Sequence, residues 1–152
     1  MGQVLRDKGG EVDVRSAKEM EDISQYQSVV IGSATRMDKL LSDALKFGKK
    51  HEHDLRRMKT AYFVVGVTIK QDTPENREKV KGFLEPLCRI REPVSLGLFA
   101  GKIDYSKVEF FWKVLAKLDK SGLMEEGDFR NWDAIGKWAD EIASALIESQ
   151  TA

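Results

Sequence analysis

Cysteine is nearly absent from this 152-residue chain, Cys88 being the only one. A lone thiol excludes an internal disulfide and leaves no thiolate cluster to hold a metal. Long hydrophobic runs are also missing. The longest, Tyr62 to Val67, is strand-sized and falls far short of the roughly 18 residues that suggest a membrane helix. The opening Met1-Gly2-Gln3-Val4-Leu5-Arg6-Asp7 mixes acid with base and has no apolar centre, so it does not read as a signal peptide. Nor is there an excess of either charge, because 25 Lys and Arg balance 25 Asp and Glu. That balance removes the basic footprint expected of a nucleic-acid binder. The exclusions leave a soluble, cytoplasmic protein with a small-molecule or protein partner. Its length predicts one domain, residues 1–152, able to bury a real core.

The apolar residues that are present switch repeatedly between strand-like runs and helical stripes. Val12 and Val14 alternate with Glu11, Asp13 and Arg15, which predicts a half-buried edge strand. Val29-Val30-Ile31, closed by Gly32-Ser33-Ala34, predicts a strand buried on both faces. Leu40, Leu41, Ala44, Leu45 and Phe47 follow helical spacing, and the polar stretch to Arg57 ends that helix. Ala61 to Ile69 gives the strongest strand signal, again apolar on both faces. Thr73-Pro74 opens the next helix as N-cap and first helical residue. Val80, Phe83, Leu84 and Leu87 form its buried stripe, while Pro86 predicts a stop or kink near Glu85. Val94 to Ala100 predicts a fourth strand. Val108, Phe111, Leu115 and Leu118 mark one closing helix, and Ile135, Ala139, Ile142 and Leu146 the other. Strands alternating with helices predict an α/β fold with a mainly parallel sheet and right-handed crossovers.

The first ten residues fit a complete domain poorly. Val4, Leu5 and Gly9-Gly10 read as the last turn of a helix with its glycine cap, an end almost without a beginning. A strand apolar on both faces, such as Val29 to Ser33, normally has neighbours on both edges. Four visible strands do not supply them all, so the expectation is a five-stranded sheet whose first strand and following loop precede Met1. The simpler alternative pairs the Val12 and Val29 strands directly.

Other constellations read as packing. His51-Glu52-His53 has a metal-like look, but positions i and i+2 point apart on a helix, so a solvated helix end is expected. Cys88 lies beside an apolar stripe and reads as a small buried residue. Trp112, Trp132 and Trp138 read as helix-packing residues. Phe110-Phe111-Trp112 is broader than one stripe and offers an aromatic edge to a flat ligand or a partner, with Lys102, Tyr105 and Lys107 near it in sequence.

Three segments taken in order give a sharper reading. Val30-Ile31-Gly32-Ser33-Ala34-Thr35-Arg36-Met37, Leu98-Phe99-Ala100-Gly101-Lys102-Ile103-Asp104-Tyr105 and Gly127-Asp128-Phe129-Arg130-Asn131-Trp132 together resemble the flavodoxin-domain family. The resemblance runs from about Val4 to Ile147. It is closest to the subgroup containing the flavodoxin-type protoporphyrinogen IX dehydrogenases. It implies a flavodoxin-like three-layer sandwich with strand order 2-1-3-4-5, here with four strands visible and the first missing. It also implies FMN at the carboxyl ends of strands 1, 3 and 4.

By the same resemblance, Ser33, Ala34, Thr35, Arg36, Met37 and Asp38 lie against the flavin ring, and Val67, Thr68 and Ile69, followed by Lys70, form the second wall. Met37 would offer the ring an apolar face, or else pack in the core. Arg36 would neutralise negative charge on flavin or substrate, or else be an ordinary surface arginine. Thr68 would bond the ring's polar edge. Asp38 stands where the family pattern leads one to expect glycine. There it would either disfavour reduced flavin and lower the midpoint potential, or cap a helix beginning near Lys39. The Ser/Thr/Gly loop that wraps the FMN phosphate in such proteins has no counterpart here, since Gly9-Gly10 follows a helix and precedes a strand. No catalytic residue is assigned and no metal is expected. The implied function is an FMN-dependent oxidoreductase or electron-transfer protein, with a tetrapyrrole as in heme biosynthesis, a quinone or a redox partner protein as the second reactant. The alternative is a truncated domain that no longer holds FMN tightly and acts by binding.

Overall fold

A computed structural model of the chain describes residues 1–103 and 127–147. Its elements follow the chain as α1 (Gly2–Asp7), β1 (Ser28–Arg36), β2 (Lys39–Leu40), α2 (Ser42–Lys50), α3 (Glu52–Leu55), β3 (Lys59–Gly66), a 3-10 turn (Thr68–Lys70), α4 (Pro74–Ile90), β4 (Ser95–Ala100), β5 (Lys102–Ile103), β6 (Gly127–Asp128) and α5 (Trp132–Ile147). The main sheet has the order β2-β1-β3-β4. Its pairs β1–β3 and β3–β4 are parallel, running from Ser28↔Lys59 to Ala34↔Val65 and from Ala61↔Ser95 to Gly66↔Ala100.

Two apolar cores separate cleanly across this sheet. Ile31, Tyr62 and Val64 face one side, where Ala44 and Phe47 of α2 and Val80, Leu84 and Leu87 of α4 cover them. Ala61 and Phe99 face the other, against Leu5 of α1 and Trp138, Ile142, Ala143 and Leu146 of α5. Neighbouring residues on β3 thus serve opposite cores, which is why that strand reads as a continuous apolar run. The α/β fold with its mainly parallel sheet and helices on both faces is the one the sequence predicts.

Local signals place several helix ends. The Thr73 hydroxyl accepts from the Asn76 N–H at 3.2 Å, with Pro74 in the first turn of α4. At the end of α1, Gly10 N–H donates to the Leu5 carbonyl and Gly9 N–H to that of Arg6. Gly9 has φ +91°, a left-handed value that glycine adopts without steric cost.

Other expectations need correction. Residues 11–15 form no strand; the Val12 carbonyl accepts from the Arg6 guanidinium at 2.9 Å instead of joining a ladder. The fourth strand of the main sheet is the short β2. The helical pattern expected from Leu40 begins at Ser42, because Leu40 pairs antiparallel with Thr35. The strongest strand stops at Gly66, and Thr68–Lys70 turns away as a 3-10 segment. Pro86 does not stop α4, which runs on to Ile90. The carbonyl that loses its donor belongs to Gly82, which is exposed along with Pro86, so water can satisfy it.

His51 is buried rather than solvated. Its ring lies 4.6 Å from that of Phe47, and Nε2 is 3.2 Å from the Met20 carbonyl. Cys88 is half-buried against the first core, and burial pushes its thiol pKa up. Of the three tryptophans, Trp138 packs in a core, with its indole N–H donating to Ser95 Oγ at 2.9 Å. Trp132 is instead 62% exposed. Trp112, the Phe110-Phe111-Trp112 edge, Tyr105, Lys107 and the predicted Val108–Leu118 helix lie outside the described residues.

Candidate functional site at the carboxyl edge of the sheet

Parallel strands bring their carboxyl ends to one edge, where the connecting loops gather. β1 ends there in a two-residue hairpin. Arg36 pairs with Lys39, and Met37 and Asp38 make the turn with φ of 50° and 58°. Positive φ at two consecutive residues is the geometry of a type I′ hairpin turn, which usually takes Asn-Gly because side chains are strained there. Met37 occupies it with its side chain 74% exposed, so core packing is ruled out as its role. Asp38 does not cap a helix either, since the N-cap of α2 is Leu41. Its carboxylate instead meets Lys79 of α4 at 2.7 Å, tying the turn to that helix.

Ser33 is buried inside this hairpin. Its hydroxyl donates to the Ala34 carbonyl at 2.7 Å and accepts from the Leu41 N–H at 3.1 Å, so both bonds hold the chain reversal. Ala34 and Arg36 are exposed, and Thr35 is half-buried between them. Thr35 is also where the first two loops meet. A Cβ placed on Gly66, the last residue of β3, would come within 2.4 Å of Thr35 Oγ1. Gly66 therefore permits an approach that a larger residue would force apart.

The second wall is mixed in exposure. Val67 is half-buried, whereas Thr68 is 8% exposed and Ile69 is buried beside it. Those two residues support the loop from inside more than they present side chains at its surface. After them Lys70 lies with Nζ 4.0 Å from the Phe129 ring centroid.

Residues 129–132 are the part of the site that the sequence left without a role. The pairing of β5 with β6 and a 3.1 Å bond from the Phe129 N–H to the Gly101 carbonyl bring them to the end of β4. Arg130 chelates Asp128 through both carboxylate oxygens and holds that carboxyl pKa down at about 2. Its guanidinium also sits 4.8 Å from the exposed Trp132 ring. The Gly127–Trp132 segment carried part of the family resemblance, and that was the signal available for it. The candidate site residues thus lie at the carboxyl end of β1, in its hairpin turn, or just after β3, and Thr35 with Gly66 brings the ends of those two strands together.

A phosphate cradle is the missing part among the described residues. At this edge α4 starts behind Asp72, whose carboxylate binds Arg77, and the Thr73 hydroxyl is already engaged by Asn76. Leu41-Ser42 opens α2 without a side-chain cap or a glycine-rich loop. The described residues therefore offer no loop or helix start that fits the phosphate end of FMN. Among them there is also no cluster of three or more metal-ligating side chains, and no helix long and apolar enough to cross a membrane.

Comparison with known proteins adds family context. The model for the flavodoxin domain matches residues 1–128. A protoporphyrinogen IX dehydrogenase [quinone] of Leishmania major is 24% identical over 131 residues, covering 80% of this chain and 56% of that protein. The chain thus spans little more than half of that relative's length. The protein of the same name from Escherichia coli K12 is 24% identical over 150 residues, covering 91% of this chain and 82% of its own length. No solved structure gives a significant match.

Proposed function

This chain belongs to the flavodoxin domain family, and we propose from that premise that it is a cytoplasmic FMN-dependent oxidoreductase whose ring site lies over the ends of β1 and β3. The observation that carries the reading is the Met37-Asp38 turn. Two side chains held at positive φ, one of them an exposed methionine, are a stability cost that a bound ring would justify.

FMN, when bound, accepts electrons singly or as hydride, and the protein positions and tunes it. Met37 presents a polarisable apolar surface at the hairpin tip, and the Ser33–Asp38 backbone offers hydrogen bonds to a ring's polar edge. Val67, Thr68 and Ile69 form the opposing loop, with Thr68 and Ile69 excluding water behind it. Arg36 and Lys70 bring positive charge to the same edge. Asp38 brings negative charge, which lowers the potential of a bound flavin to the extent that Lys79 leaves it uncompensated. The second substrate is a flat, largely apolar molecule of the porphyrinogen or quinone class. The relatives' names and the exposed Trp132 ring support that choice.

Titrating the chain into FMN and following flavin fluorescence tests the reading. Stoichiometric, tight quenching supports it, and redox assays follow. No quenching by a well-folded chain rejects it. The reading then favoured is a cofactor-free module that acts by binding. One observation already speaks for that second reading: among the described residues neither the start of α2 nor that of α4 offers a glycine-rich phosphate cradle.

A further inference from the structure

The short link between β6 and α5 is more ordered than a connection requires. Asn131 caps α5, its side-chain oxygen accepting from the Ala134 N–H at 3.0 Å, so the exposed Trp132 is the first residue of that helix. Just before it, Arg130 lays its guanidinium 4.8 Å from the indole ring. Asp128 grips the same guanidinium through Nε at 2.8 Å and through Nη2. Those bonds leave Nη1 without an acceptor among the described residues.

Neighbouring contacts fix where this pair stands. Lys70 lies over the Phe129 ring at 4.0 Å, which joins the link to the loop after β3. Asp128 stands opposite Lys102 in the β5–β6 ladder, so its charge is divided between two cations. The other carboxylate nearby, Asp133, lies in the first turn of α5, where the helix amides stabilise it. Arg130 is therefore fixed in direction but not fully neutralised.

We propose that Arg130 is a specificity-determining residue, taking the carboxylate of a flat aromatic ring that stacks beside it on Trp132. Three properties select that ligand. A guanidinium bonds carboxylates through paired N–H groups and lies flat on aromatic rings, so Arg130 serves the acid and the ring at once. Held already by Asp128 and Trp132, it loses little freedom when a ligand arrives. A neutral ring of the same shape would stack on Trp132 as well, but without the charge-assisted bond, which is about twice as strong as a neutral one. The inference narrows the second substrate of the proposed function to one bearing an acid, and it rests on that reading for its place in a reaction. Binding itself needs no flavin.

The test is a nitrogen–proton NMR titration of the full chain, without flavin, using anthracene carboxylate and, as its uncharged match, anthracene methanol. The Trp132 indole N–H signal, identified by its loss in Trp132→Phe, shifts with the carboxylate, which binds about tenfold more tightly than the alcohol. Arg130→Gln removes the carboxylate's advantage and leaves alcohol binding unchanged, while the dispersion of the other signals shows that the variant is folded. Three results overturn the proposal: equal affinities for the two probes in the wild-type chain; an equal loss of both in folded Arg130→Gln, meaning that Arg130 only steadies Trp132; or a carboxylate that leaves the Trp132 signal unmoved. A chain that prefers the carboxylate but does not quench FMN fluorescence keeps Arg130 as the acid-reading residue and loses the oxidoreductase reading.

Discussion

β1 and β3 are written in nearly the same alphabet and meet different fates. β3 is paired along both edges, and its Ala61, Tyr62 and Val64 are fully buried between two helical layers. β1 carries Val29-Val30-Ile31, yet only Ile31 and Ser33 are buried, and Gly32 and Ala34 face solvent. An apolar run therefore states what surroundings a strand is made for, while its neighbours decide whether it has them. On β3 the two agree. On β1 they disagree along one edge, which among the described residues is paired only at Thr35 and Arg36.

The largest effect expected from this contrast is in the strand interiors. Val64→Ala, which opens a hole in a closed core, should cost about 2–3 kcal/mol in denaturant unfolding. Val30→Ala, beside an existing void, should cost about 1 kcal/mol or less. Equal losses would break the comparison, since β1 would then be as well covered as β3. Tyr62→Phe comes next, at about 1–2 kcal/mol, because the phenol donates to the Arg91 carbonyl at 2.8 Å from inside the core.

Tyr62 also sets a pH dependence. Burial raises its pKa above the usual tyrosine value of 10.0, so the folded state holds this proton more tightly than the unfolded one. The resulting contribution is full below about pH 10 and is lost as pH rises toward the folded pKa. Wild type should therefore lose melting temperature above pH 10 faster than Tyr62→Phe. Parallel curves would remove Tyr62 as the cause.

Smaller effects belong to the hairpin that ends β1. Replacing Met37-Asp38 with Asn-Gly gives the turn the residues its φ values favour and should stabilise by about 1 kcal/mol. If the turn serves a bound flavin, the same change weakens FMN affinity, and Asp38→Gly alone raises the flavin midpoint potential. An unchanged potential would remove Asp38 as a tuning residue. Lys79→Ala, which cuts an exposed ion pair, should cost no more than about 0.5 kcal/mol. A larger loss would mean that the hairpin needs its tie to α4.

The sequence carried the fold where local and global signals coincide. Period-3.6 stripes located α4 and α5, a Thr-Pro pair located the start of α4, and continuous apolar runs located β1 and β3. It misled where a tertiary partner outweighs a local pattern. Val12 and Val14 alternate as a strand should, yet a guanidinium holds the Val12 carbonyl and no ladder forms. Pro86 should break a helix, yet its displaced carbonyl lies on the wet side. The grouping of residues 33–38 and 67–69 at one edge was legible only through the family resemblance, and the parallel pairing of β1 with β3 brings them together. The hairpin form of the first loop was not, because neither Met37 nor Asp38 is the glycine that signals such a turn. The arrival of Phe129 beside Lys70 was hidden for a different reason, since nearly sixty residues of chain separate them.

The register of the parallel sheet also has a temporal consequence. β1 and β3 partners lie about thirty residues apart along the chain, as do those of β3 and β4. Neither pair can form until a long loop has closed, so assembly of this sheet is slow compared with helix formation. Throughout that delay the apolar β1 run is a bare template for strands of other molecules. The yield of folded protein is thus set by a race between loop closure and aggregation, and dilution favours loop closure.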